Sequence, residues 1–191
     1  MATSAPQALP FSGDPEADRL LAADPVALLI GFVLDQQVTL QKAFSGPLEL
    51  RRRIGTLDPA AIAAYDPDAL ETAFRERPAL HRFPANMARR VQELCATLAA
   101  DYGGDPTRIW NEAGDAAELE RRLRALPGIG DMKAGTILAI LGRRFGLRLP
   151  GLDDRLPTGP TLGDVDSDEA RERYQAAKRE RKRALRAASG R

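Results

Sequence analysis

The chain has 191 residues with 28 Lys and Arg against 27 Asp and Glu, a formal net charge of +1. That length suffices to bury a core in one domain or two small lobes, and the near-zero charge leaves any grip on a polyanion to the placement of charges rather than to their sum. The lone cysteine, Cys95, excludes an internal disulfide and any zinc site or iron–sulfur cluster held by several thiolates.

Residues 1–14, rich in Pro, Ser and Gly, read as a flexible arm with no signal-peptide pattern. Asp14 before Pro15 and Asp24 before Pro25 are helix starts, Asp as cap and Pro in the first turn. They predict a short helix over 15–23 and a longer, nearly all-apolar one over 26–44, which must be central. Its apolar run, 26–34, is too short to span a bilayer, so no membrane contact is expected, and the lone cysteine makes the reducing cytoplasm the expected setting. Short helices follow over 47–54, 59–64 and 67–75, then a polar connection over 81–86. A long amphipathic helix over 87–102 places Val91, Leu94, Cys95 and Leu98 on one face and ends at Gly103 and Gly104. A helical turn over 107–113 carries Trp110, expected in the core or between lobes. Helices over 115–126 and 131–145 come next. Residues 151–166 read as an irregular loop, and 167–191 as a basic helical tail. With no alternating β-branched pattern anywhere, the fold class is all-α.

The link between the helices over 115–126 and 131–145 is Leu126, Pro127, Gly128, Ile129, Gly130. Two glycines permit a tight connection whose amides no side chain covers. Together with the free amides that open the next helix, they make a donor site for an anion such as a DNA phosphate. Ile129 is an apolar plug between the helices, and Lys133 adds a positive charge one turn on.

Residues 126–134 resemble the hairpin of the helix-hairpin-helix (HhH-GPD) DNA glycosylase superfamily. That superfamily includes endonuclease III, the adenine glycosylase acting opposite oxidised guanine, and the alkyladenine glycosylases. Residues 28–39, with Gln36 and Gln37, resemble the early buried helix that ends in a duplex-entering Gln, and 83–98 resemble the long helix before the hairpin. The resemblance covers roughly 20–150, giving a glycosylase-like domain over 15–150 with two helical lobes around a cleft. It implies a monomeric, nucleoid-associated repair enzyme of double-stranded DNA that breaks the N-glycosidic bond of a damaged base. The alternative is a non-catalytic DNA-binding or lesion-sensing protein.

The resemblance also directs attention to carboxylates, which stabilise the positive charge that develops on the sugar or orient the attacking water. Asp153 and Asp154 stand near the family's position for that acid. Leu152 followed by Asp153 matches the endonuclease III pattern, and the adjacent pair matches the alkyladenine type, in which the second Asp acts. The chain departs from both at Arg155, Leu156 and Pro157, which do not continue a helix. Asp35, at the end of the apolar helix, is a third candidate. Met132 stands where strand-nicking members carry a Schiff-base Lys, which implies a monofunctional glycosylase with water as nucleophile. No organic cofactor is implied, only a monovalent cation at the hairpin. Gln36 and Gln37 are the expected base-stack contacts, and His81, Arg82, Arg89 and Arg90 the candidate phosphate contacts, with a solvated face the favoured alternative for the three arginines.

Overall fold

A computed structural model describes residues 5–189, and among them are eleven α-helices, one 3₁₀ turn and no strand. In chain order the helices are α1 (Pro15–Ala23), α2 (Pro25–Leu34), α3 (Leu40–Ile54), α4 (Pro59–Ala63), α5 (Pro67–Arg75), α6 (Pro84–Tyr102), α7 (Thr107–Asn111), α8 (Ala116–Arg124), α9 (Asp131–Arg143), α10 (Leu152–Arg155) and α11 (Asp168–Ser189). The repeated Asp-Pro pairs act as local starts. Asp14, Asp24, Asp58 and Asp66 each accept an amide N–H from the first turn, at 2.7–2.8 Å. No helix among the described residues is long and apolar enough to cross a membrane.

The helices form two groups on one continuous core. In the first, α2 packs on α1, α3 and α6, with α4 and α5 on α6; in the second, α9 packs on α8, α10 and the 3₁₀ turn Leu162–Asp164. The seam between the groups runs along α2 and α9. At one end Val33 of α2 meets Gly128 just before α9. At the other, Leu28 and Leu141 line an apolar groove of about 240 Å³ with Trp110 and Phe145, which puts Trp110 between the lobes. A second groove, about 480 Å³, lies between α5 and α6.

Four expectations are corrected. The helix expected over 26–44 breaks at Leu34 and restarts at Leu40. No Gly or Pro marks the break; it is made by tertiary bonds to Gln36, described below, and by the Thr39 side chain capping α3 through the Lys42 N–H at 3.2 Å. Pro47, expected to open a helix, lies inside α3. Burial of Phe44, Leu48 and Leu50 against the core outweighs the roughly 3 kcal/mol that an interior Pro costs.

Residues 5–14 are no loose arm, because Leu9 and Phe11 are fully buried and the Ser12 hydroxyl donates to Asp18 at 2.6 Å; residues 1–4 lie outside the described residues. The loop expected over 151–166 is ordered onto α9. Leu152, Leu162 and Val165 are buried, and Gly163 sits so close to the Ala139 backbone that a Cβ would come within 2.7 Å of it.

Candidate functional site

Between α8 and α9 the chain turns through Leu126–Gly130, closed by the Ile129 N–H donating to the Leu126 carbonyl at 3.1 Å. Leu126 and Ile129 are buried and fix the turn to the core, Ile129 as the expected plug. Gly128 has φ +80°, a conformation that favours glycine, and a Cβ there would press on the Val33 side chain at 3.2 Å. Gly130 differs. It is exposed, extended at φ −92° and ψ −176°, and nothing lies within 4 Å of a would-be Cβ. As N-cap of α9 it supplies no side-chain acceptor, so the amides that open α9 face solvent at the positive end of a thirteen-residue helix.

Lys133 is half-buried and donates from Nζ to the Gly128 carbonyl at 3.2 Å. Burial holds its ammonium below the usual lysine range; the Asp35 carboxylate opposes that shift, while Arg90 and Lys178 reinforce it. The resemblance implies a monovalent cation at this turn. A cation held by the Gly128 carbonyl would share it with the Lys133 ammonium, like charges in contact, so that carbonyl does not fit one. Asp131 also stands at the mouth, drawn aside by Arg124 Nε at 2.7 Å.

The end of α2 brings the second component. Asp35, at φ −72° and ψ 68°, is the centre of an inverse γ-turn in which the Gln36 N–H donates to the Leu34 carbonyl at 2.7 Å. Asp35 is half-buried, and among the described residues its carboxylate has no hydrogen bond or ion pair. Its charge is felt at Lys133 and at the Tyr174 phenol, whose pKa is pushed up by burial and then by Asp35.

The structure separates the two glutamines. Gln36 is tied down, its carbonyl 2.9 Å from His81 Nε2 and its Oε1 accepting from Arg90 at 2.9 Å. Gln37 is exposed at φ 55°, a left-handed conformation sparsely populated outside glycine.

His81, expected to meet phosphate, is buried at 1% exposure. Its Nδ1 accepts the Phe83 N–H at 3.0 Å, so Nε2 carries the proton it gives to Gln36. It therefore shapes the Gln36–Gln37 loop from behind and cannot touch a strand. Arg82 is exposed and stacks over Phe83 at 4.8 Å, and Phe83 and Met132 are large apolar side chains left open to solvent.

Asp153 and Asp154 are exposed on α10, whose Leu152 packs against Gly142. From there the chain runs back along α9 to Pro157, which lies against Gly135, and neither acid is among the charges felt at Lys133. Of the three candidate acids only Asp35 stands beside Lys133. Sequence reasoning missed Tyr174; its one signal was an aromatic four residues after Ala170 in an otherwise polar helix.

The family described as HhH-GPD superfamily base excision DNA repair protein matches residues 30–189. No curated protein and no solved structure matches the chain.

Proposed function

The chain belongs to the HhH-GPD superfamily of base excision DNA repair proteins, and on that basis we propose that it is a monofunctional DNA glycosylase whose acid is Asp35. The amides that open α9, with Lys133, take one backbone phosphate of a duplex and fix its position without reading sequence. Gln37, exposed and held in a left-handed conformation, fills the gap left when the damaged nucleotide swings out. The Asp35 carboxylate then faces the sugar. As the N-glycosidic bond breaks, its electron pair leaves with the base, and the carboxylate opposes the positive charge growing on the sugar. Water attacks the anomeric carbon and gives its proton to the carboxylate.

The reading rests on Asp35, a half-buried carboxylate without a hydrogen-bond partner among the described residues, next to the hairpin lysine. A charged group that the fold leaves unpaired in a partly desolvated place is available to a reacting centre. The position at which strand-nicking members of the family carry their lysine holds no amine. Met132 is a thioether, and the Lys133 ammonium is engaged by the Gly128 carbonyl.

The test incubates the protein, as a monomer, with duplexes carrying uracil, alkylated or oxidised bases, followed by hot alkali. Strand breaks are expected only after alkali. Asp35→Asn is expected to lower base release by about 100-fold or more, while Asp153→Asn with Asp154→Asn stays within about threefold of wild type, since both acids are exposed on α10 and neither adds to the field at Lys133. Full activity in Asp35→Asn overturns the assignment. Duplex binding without base release from any lesion replaces the glycosylase with a non-catalytic DNA-binding protein.

A further inference from the structure

The C-terminal helix changes character halfway along. Its first turns are fastened to the body: Ala170 is buried, Arg171 donates to the Pro10 carbonyl at 3.2 Å, Tyr174 is half-buried, and Gln175 exchanges amide hydrogen bonds with Gln41 at 2.9 and 3.4 Å. Gln41 lies in the first turn of α3, just after the exposed Gln37. At 100° per residue, the stripe through 170, 171, 174 and 175 continues as Lys178, Arg181, Lys182 and Leu185.

In a helix packed along its whole length those positions would be apolar. Here three of the four are basic and all are exposed. The face that docks α11 onto the body therefore continues past its last anchored turn as three cations, Lys178, Arg181 and Lys182, set along about 6 Å of helix axis, within a stretch over residues 176–189 where Lys and Arg on all faces number six against one Glu.

We infer that this overhanging inner face of α11, through Lys178, Arg181 and Lys182, is a DNA-contacting surface that follows the phosphate backbone of the duplex held at the Gly128–Gly130 hairpin. Charge complementarity identifies the occupant. Lys178 adds to the positive field at Lys133, so the row continues the hairpin's own phosphate site. Among the described residues Lys178 has no carboxylate partner, only the Tyr174 ring at 5.9 Å. Two ammonium groups in one field repel, and a strand of phosphates passing between them relieves that repulsion. Cations stand on the outer side of α11 as well, but the anchoring of the inner face through Tyr174 and Gln175 gives Lys178, Arg181 and Lys182 a fixed place relative to the hairpin.

This inference rests on the DNA reading above, and the test separates the two. Full-length protein is compared with an inner triple variant (Lys178→Gln, Arg181→Gln, Lys182→Gln) and an outer one (Arg173→Gln, Arg179→Gln, Arg183→Gln). All six side chains are exposed, so both variants fold, and they lose equal charge. Affinity for an undamaged duplex is measured from 50 to 200 mM salt. Each lost phosphate contact removes about 0.9 from the slope of log affinity against log salt. Over that fourfold rise in salt the wild type is thus expected to lose about 40-fold more affinity than the inner triple.

The outer triple is expected to keep the wild-type slope. Equal slopes for wild type and inner triple, or equal losses in both triples, overturn the surface. If the wild type itself shows no salt-dependent binding, the hairpin reading falls with it. If a Gly130→Val variant loses affinity while the inner triple does not, only the role of α11 falls.

Discussion

Gly130→Val isolates the hairpin's chemistry from its architecture. The position is extended backbone, which valine favours, and a new Cβ meets nothing within 4 Å. Two small stability effects oppose each other. Valine is a poorer N-cap than glycine by up to about 1 kcal/mol, and losing glycine's unfolded-state freedom returns about 0.4–1 kcal/mol. The melting temperature is expected to stay within about 4 °C of wild type for a chain of this size.

Binding is another matter, because the isopropyl group stands over the amides that open α9. Hydrogen bonds to a charged group contribute about 1.5–3 kcal/mol, so losing the phosphate there weakens the complex by roughly 10- to 150-fold. Since phosphate carries no sequence information, two unrelated duplexes should lose affinity equally. Fluorescence anisotropy with labelled duplexes, alongside thermal unfolding, reads both quantities. Gly128→Val is the contrast: with φ +80° and Val33 at 3.2 Å, it is expected to lower the melting temperature as well as binding. Wild-type affinity in a folded Gly130→Val protein would refute the phosphate site.

Other consequences follow from charges near the turn. Asp131 places a carboxylate at the mouth of the anion site, and its pairing with Arg124 is largely exposed, so that pair contributes little to stability. Asp131→Asn is expected to tighten duplex binding about fivefold, the equivalent of about 1 kcal/mol of repulsion at 4 Å in water, and an unchanged or weaker affinity would contradict that. His81 is the only histidine, and burial lowers its pKa below 6.5. Above pH 6.5 it is neutral in both folded and unfolded chains and has no effect on stability. As pH falls below 6.5 the unfolded chain takes up the proton first, and stability is lost until the folded pKa is reached, by at most about 1.4 kcal/mol per pH unit. Urea unfolding between pH 7.5 and 5.5 should show this decline in wild type and not in His81→Gln; parallel curves would mean that His81 is not buried neutral against Gln36 and Phe83.

What could be read from residues alone is what short-range bonding decides. The Asp-Pro pairs start helices because the acceptor lies two or three residues from the amide it caps, and Gly128 turns because that backbone favours glycine. The all-α class, the hairpin and the family resemblance followed from such local patterns. The site did not. Nothing near Asp35 in sequence says that α2 ends against the hairpin, and nothing near Asp153 and Asp154 says that Leu152 packs at the far end of α9.

His81 looked like a phosphate contact because its neighbours are polar; one bond across the fold, to the Gln36 carbonyl, and one from the Phe83 N–H two residues on hold it inward. The break in the helix expected over 26–44 comes from the long-range bonds of Gln36 to His81 and Arg90, together with the local Thr39 cap. α11 is fixed by an amide pair between residues 134 positions apart. Local sequence set which segments are helical and where the chain turns, since those choices depend on bonds a few residues long. Which carboxylate stands beside the hairpin, and which face of the last helix looks toward it, was decided only when distant helices buried their apolar faces together.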